Sequence, residues 1–291
     1  MASLSHNLEY VATLTGVRLA RMMSSHMADS FGAGLGSFVR LLSTSRRRIA
    51  HENLRKAIGI TLTDKEMDAV VKNVFKNIGR SLVEFSRFGK TSQQHVLDIV
   101  VGDGEDYLRE ALEKGHGGII TTAHFGCWEM LGAWFGCLGY PMDFLVGTQH
   151  NAKVDGLFND FRRAMGVGII PLKSSIRGVY KALRANHLVG LVADQHTGDG
   201  LSIDFFGRKA AAAKGPATFA VKIGSPILPF LMRRQRYDRH VVIAGKPLYP
   251  RNDSDPKDEI QRLTIECNKF FEEGIRQYPD QWMWTHRRWK L

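Results

Sequence analysis

The chain has 291 residues, 44% of them hydrophobic, and carries 40 Lys and Arg against 29 Asp and Glu, a formal net charge of +11. That length supports one large α/β domain with a well-buried core, and the apolar fraction is that of a globular protein. The positive excess favours anionic partners. With no RNP, zinc-finger or Arg-rich low-complexity segment, and with basic residues scattered among apolar helices, a membrane surface fits this better than nucleic acid.

The N-terminus lacks a charged start followed by a clean apolar stretch and a small-residue cleavage site, so no secretory leader is expected. Nor is there a run of about 18 apolar residues, the minimum for a spanning helix. The segment from Leu8 to Met23 places Arg18 and Arg21 among Val11, Leu14, Leu19, Met22 and Met23. It reads equally as an amphipathic helix lying in a membrane interface or as an ordinary domain helix over an apolar groove. Residues 1–100 read as a helical region, a candidate for membrane-interface attachment. Ser45-Arg46-Arg47-Arg48 opens one helix, and Thr63-Asp64-Lys65-Glu66 is a capping-box-like start for another. In the latter Met67, Val70, Val71, Val74, Phe75, Ile78, Leu82 and Phe85 recur at helical spacing.

Residues 101–291 read as an α/β core ending in an aromatic and basic tail. Strand-like runs at Ile119–Ala123, Phe144–Gly147, Gly168–Leu172, Leu188–Ala193, Ile227–Met232 and His240–Ala244 alternate with helical ones. That alternation predicts a mixed, mostly parallel sheet flanked by helices. The segment from Gly207 to Pro216 reads as a loop, mobile near the site or simply exposed before a helix that has Pro216 near its first turn. A last helix is expected over about 257–277. The tail, with Trp282, Trp284 and Trp289 among His286, Arg287, Arg288 and Lys290, suits a headgroup-level anchor or a strap packed on the domain. Cys127, Cys137 and Cys267 make no C-x-x-C pair and leave an odd count, so a reducing compartment is expected.

The chemistry-bearing feature is His124-Phe125-Gly126-Cys127-Trp128-Glu129, where a buried strand hands over to an apolar-faced helix. A neutral imidazole there can take a proton from a hydroxyl, and a carboxylate one turn away can hold its tautomer. His124 and Glu129 are therefore a candidate catalytic pair, although the same spacing also serves as a plain structural hydrogen bond. Asp194, just after Leu188–Ala193, falls at a strand end, as a site carboxylate or a turn aspartate. Arg162-Arg163, on an expected helix, offers either a phosphate-binding fork or a solvated basic face. No metal is expected, because His124, Glu129, Asp194 and His196 match no ligand spacing.

Together with Asn159 to Gly166, Val192-Ala193-Asp194-Gln195, Phe205-Phe206-Gly207-Arg208, Lys214-Gly215-Pro216-Ala217 and Gln281 to Lys290, this ordered set resembles the bacterial lipid A biosynthesis acyltransferases. These are the late acyltransferase branch of the glycerolipid acyltransferase superfamily, and the likeness runs from about Arg46 to the end. The His-x4-Glu spacing, where phospholipid enzymes usually carry Asp, implies a glycolipid acceptor. The resemblance implies acyl transfer from acyl carrier protein or acyl-CoA to a hydroxyl of a membrane lipid, with His124 as base and Glu129 as its orienting carboxylate. It further implies substrate-binding roles for Arg162, Asp194, Gln195 and Arg208. No cofactor is expected beyond the thioester co-substrate, and the expected location is the cytoplasmic face of the bacterial inner membrane, peripheral or monotopic. A thioesterase using the same pair, or a non-catalytic basic protein that docks on membranes, are the competing readings.

Overall fold

The computed structural model describes residues 4–290. Four helices come first, α1 (Leu4–Met22), α2 (Ser25–Leu42), α3 (Thr44–Ile58) and α4 (Asp64–Ser86), then α5 (Gln93–Ile99), β1 (Val100–Gly102) and α6 (Glu105–Glu113). There follow β2 (Gly118–Thr122), α7 (Trp128–Cys137), β3 (Met142–Val146), α8 (Ala152–Ala164), β4 (Val167–Pro171), α9 (Ser175–Arg184) and β5 (Leu188–Val192). The chain then forms β6 (Leu201–Phe205), β7 (Arg208–Ala212), α10 (Gly215–Ile223), β8 (Ile227–Arg236), β9 (Arg239–Ala244) and α11 (Pro256–Gln277).

Seven strands make one sheet in the order β1-β9-β8-β2-β5-β3-β4. Every pairing is parallel except that of β8 with β9. This is the expected mixed, mostly parallel sheet with a helical N-terminal region. Because side chains alternate across a strand, Ile120 of β2 faces a core shared with α6, α7 and α8, while Ile119 faces the one shared with α9, α10 and α11. All five residues of β2 are buried, as a strand covered on both faces requires.

The capping box forms as read: Thr63 N donates to Glu66 Oε2 at 2.7 Å and Glu66 N to Thr63 Oγ1 at 3.3 Å. Met67, Val71, Val74 and Phe75 bury the inner face of α4. Leu82 does not follow them and is 49% exposed. Helix α2 crosses α4 closely enough that a Cβ on Gly36 would lie 2.0 Å from the Phe75 carbonyl oxygen. Helix α1 occurs where read, but Arg21 turns inward, donating from Nε to the Ser86 carbonyl at 3.0 Å. It thereby satisfies an orphan carbonyl at the end of α4, and in return Arg87 donates to the Met23 carbonyl at 2.7 Å. Of the two arginines read as interface residues, only Arg18 is exposed.

Two expectations are corrected. The segment after Gly207 is a strand: β6 and β7 pair antiparallel, Phe205 opposite Arg208, around a two-residue turn in which Phe206 and Gly207 both have positive φ (58° and 71°). Ala210 and Ala212 are buried, so small side chains with little strand propensity serve here to fit under their neighbours. The tail is not a headgroup anchor, since Trp282 and Trp284 are 2% and 0% exposed and Arg288 is 0% exposed. Arg288 reaches Asn268 Oδ1 at 3.1 Å and lies over the Phe205 ring. Burial pulls its pKa down to about 10.

A buried polar network ties α4 to β8. Arg234 pairs with Glu84 and donates to Ser81 Oγ at 2.8 Å, and Ser81 donates to the Gly126 carbonyl at 2.8 Å. Burial pushes the Glu84 carboxyl up, but Arg234 and His240 outweigh it and hold it well below the usual carboxylate range. Arg234→Ala takes away the guanidinium partner of that carboxylate and is expected to destabilise the fold by about 3–5 kcal/mol, read as a lowered midpoint in urea at unchanged slope.

Candidate active site

The position of His124 follows from strand order. The chain runs β2, β3, β4 outward and returns as β5 between β2 and β3, in a register that pairs Thr122 with Val192. Two residues past each of those strand ends stand His124 and Asp194, side by side at the carboxyl edge of the sheet, where parallel α/β sheets gather their ligands. The turn from β2 into α7 is clamped on several sides. Gly126 N donates to the Gln281 carbonyl at 2.8 Å, and Met283 N to the His124 carbonyl at 3.0 Å. Gly126 has φ +54°, and a Cβ there would lie 1.9 Å from the Met232 carbonyl oxygen, so only glycine lets β8 approach.

His124 Nδ1 is 2.8 Å from Asp194 Oδ1, and the second oxygen, Oδ2, accepts from Trp282 Nε1 at 2.7 Å. Both oxygens of this 2%-exposed carboxylate are therefore occupied. The Gln195 side-chain amide lies 3.2 Å from the same imidazole nitrogen. Trp128 meets the imidazole edge to face, with centroids 4.9 Å apart. With Nδ1 held by the carboxylate, the neutral ring carries its proton there and presents the Nε2 lone pair. Burial opposes protonation of the ring, but the charge and hydrogen bond of Asp194, with a smaller contribution from Glu129, leave its pKa above the ordinary histidine value. Burial also pushes Asp194 up, and His124 and Trp282 more than reverse that.

Glu129 does not bond to His124. From the first turn of α7 it faces α8, where Arg162 grips it bidentately, Nε to Oε2 at 2.9 Å and Nη2 to Oε1 at 2.6 Å. Arg162 Nη1 donates to Asn159 Oδ1 at 2.9 Å, and the guanidinium lies over the Phe85 ring. The carboxylate behind the imidazole is thus Asp194, and the arginine fork read as free for a headgroup phosphate is taken by Glu129. Arg208 stands apart from this group. It is exposed on the hairpin and donates to the Lys56 carbonyl at 3.1 Å, and it is not among the residues lining the cavity shared by His124, Glu129, Arg162 and Gln195. Trp282, quoted in the tail sequence but given no site role, belongs to the constellation; its only signal was an indole N–H that must find a partner when buried.

His124, Glu129, Arg162 and Gln195 line one cavity of about 860 Å³. Its other walls are largely apolar, with Phe144, Leu145, Leu191, Ile176 and Phe219 among them. A polar corner against an apolar hollow suits a reactive carbonyl attached to a hydrocarbon chain. Cys127, in the same turn, cannot serve as a nucleophile: it is fully buried, and burial together with the nearby Glu84 carboxylate holds its thiol well above the usual range.

A mostly parallel α/β sheet with a carboxylate-backed histidine at its carboxyl edge, opening on an apolar cavity, fits an enzyme of acyl transfer. The sequence profile of the bacterial lipid A biosynthesis acyltransferases matches residues 2–291, and the chain belongs to that family and is an acyltransferase. Among its relatives is a phosphatidylinositol mannoside acyltransferase of Mycobacterium tuberculosis, 25% identical over 90% of this chain and 82% of the relative. The protein of the same description in Mycolicibacterium smegmatis is 26% identical over 94% and 89%. A lipid A biosynthesis lauroyltransferase of Escherichia coli is 25% identical over 89% and 84%. Family membership sets aside the reading of a non-catalytic docking protein.

Proposed function

We propose that the chain moves a fatty acyl group from an acyl thioester to a hydroxyl of a membrane glycolipid or lipid A precursor, with His124 as the general base. The observation that carries this is an imidazole whose Nδ1 is 2.8 Å from a buried carboxylate while its ring lines an apolar cavity. His124 Nε2 takes the acceptor hydroxyl proton as the oxygen attacks the thioester carbonyl. The tetrahedral intermediate then collapses, expelling the thiol of the carrier, with the imidazolium returning its proton to the sulfur. Asp194 stabilises the imidazolium while it exists. The Glu129–Arg162 pair fixes the wall beside the imidazole, and the chemistry needs no cofactor. A sugar-bearing acceptor is supported by relatives whose names refer to a mannoside and to lipid A. The test is acyl transfer by the purified protein, followed by mass spectrometry of the lipid. A product heavier by one acyl chain is expected, and release of free fatty acid alone, unaffected by acceptor, would mean a thioesterase.

The reading includes docking at the cytoplasmic face of the inner membrane through α1 and α2. No described helix is long and apolar enough to cross a membrane. Yet Leu8, Leu19 and Met22 of α1 and Phe38, Leu41 and Leu42 of α2 are more than half exposed. Exposed arginines Arg18, Arg46 and Arg48 flank them, the pairing of apolar and cationic surface that favours an anionic interface. Asn151, held to the His6 carbonyl at 2.8 Å, joins α1 to the loop whose Gln149 lines the cavity, so a docked lipid is close to the site. Vesicle sedimentation is expected to show binding that rises with anionic lipid and falls with salt. Because each buried large apolar side chain contributes about 1.5–3 kcal/mol, Phe38→Ser with Leu42→Ser is expected to weaken binding at least about tenfold.

A further inference from the structure

We infer that α9 is the docking surface for an acidic acyl carrier protein, which delivers its thioester into the cavity beside it. The inference rests on the proposed reaction and chooses between its two donors. Helix α9, together with the turn before it and α10 beside it, presents Lys173, Arg177, Lys181, Arg184 and Lys222, all exposed. None of the five forms an ion pair with a described residue, and neither α9 nor α10 contains Asp or Glu. The contrast with α11 is sharp: there Arg262, Lys269 and Arg276 are paired with Glu259, Glu266 and Glu272. On α11 the cations are neutralised by carboxylates of their own helix, and on α9 they are left open.

The stripe also has the right place. Arg177, Lys181 and Arg184 recur at i, i+4 and i+7, so they share one face of α9 about 10 Å long. The next positions around the helix, Tyr180 and Ile176, form part of the cavity wall, and Tyr180 borders both the cavity and the shallow groove under the stripe. A partner held by the cations therefore meets the cavity mouth directly. A small anion is a poorer occupant, because the lining of that groove comes from α9 and the residue just after it, which is no enclosing cradle. A membrane is poorer too. α9 packs on the sheet face opposite the one covered by α7 and α8, and α1 rests against α4 and α8. The lipid-facing surface and the cationic stripe thus approach the cavity from different sides, which lets acceptor and donor arrive without competing.

The test compares acyl carrier protein and CoA loaded with the same acyl chain as donors to the full-length protein. In Arg177→Glu, Lys181→Glu, Arg184→Glu, the KM for the carrier is expected to rise about tenfold or more, within the range of electrostatic steering. Turnover with acyl-CoA should stay within about twofold of the unaltered rate, which also reports that the variant is folded. Added salt should raise the carrier KM of the unaltered protein and should not raise that of the variant, whose stripe repels the carrier. Neutralisation to Gln at the same three positions should give an intermediate carrier KM. Transfer from the carrier that is indifferent to charge reversal overturns the docking surface alone. Transfer from CoA and never from the carrier overturns the donor reading and the surface with it. Loss of anionic-vesicle binding at unchanged carrier KM means that α9 meets lipid, and overturns the inference.

Discussion

His124→Ala is expected to lower the transfer rate by about 10²–10⁴-fold, the usual cost of losing a general base, in a protein that remains folded. The fold should survive because the turn is held by backbone, Met283 N to the His124 carbonyl and Gly126 N to the Gln281 carbonyl, and not by the imidazole. Asp194 keeps its Trp282 donor at 2.7 Å, so the buried carboxylate is not left without a partner. The measurement is single-turnover transfer alongside thermal melting. Hydrolysis of the thioester in the absence of acceptor should fall in parallel, since water and hydroxyl are activated by the same nitrogen. A folded alanine variant with unaltered turnover would remove His124 from the chemistry, and the Asp194 pairing would then be structural.

What was legible in the sequence divides by range. The strand before His124 and the helix after it were readable because both are set by local pattern, a continuous apolar run and an apolar helical face. Asp194 could be placed at a strand end by the same means. Its contact with His124 could not, because that depends on β5 inserting between β2 and β3, a choice of strand order with no local signal. Proximity in sequence instead favoured Glu129, whose side chain the start of α7 turns toward α8 and Arg162, a residue 33 positions away. The hairpin after Leu201 was missed because its second strand is mostly alanine. Helix α2 went unread because Phe38, Leu41 and Leu42 face outward, so its apolar stripe is not a core stripe. The clamping of the site by the tail was hidden because tryptophans among cations suit a membrane interface as well as a buried strap.

Asp194→Asn should be nearly as damaging as loss of the base, and more informative. In serine-protease triads, replacing the carboxylate behind the imidazole costs about 10⁴-fold, because the amide favours the wrong tautomer. Here a side-chain amide in place of the carboxylate, donating to Nδ1, would put the ring proton on Nε2, where the acceptor hydroxyl has to be met. The loss should fall on kcat, with both Michaelis constants little changed, since Asp194 is buried behind the ring and is not among the residues lining the cavity. The pH profile gives an independent sign. His124 must be neutral to accept a proton, so activity falls as pH drops through its pKa, which burial lowers but Asp194 brings above the ordinary value of 6.5. The acid limb of kcat/KM is therefore expected above pH 6.5 in the unaltered protein. Removing the carboxylate leaves burial acting with less opposition, so the limb of the residual activity should move to lower pH. Glu129→Gln is the control: it breaks the charge pair with Arg162 but leaves the Asp194 bond, and should cost much less and move the limb little. If Glu129→Gln abolishes transfer while Asp194→Asn stays within about tenfold of the unaltered rate, a loss below that expected of a general-base partner, then the carboxylate that serves the imidazole during turnover is Glu129.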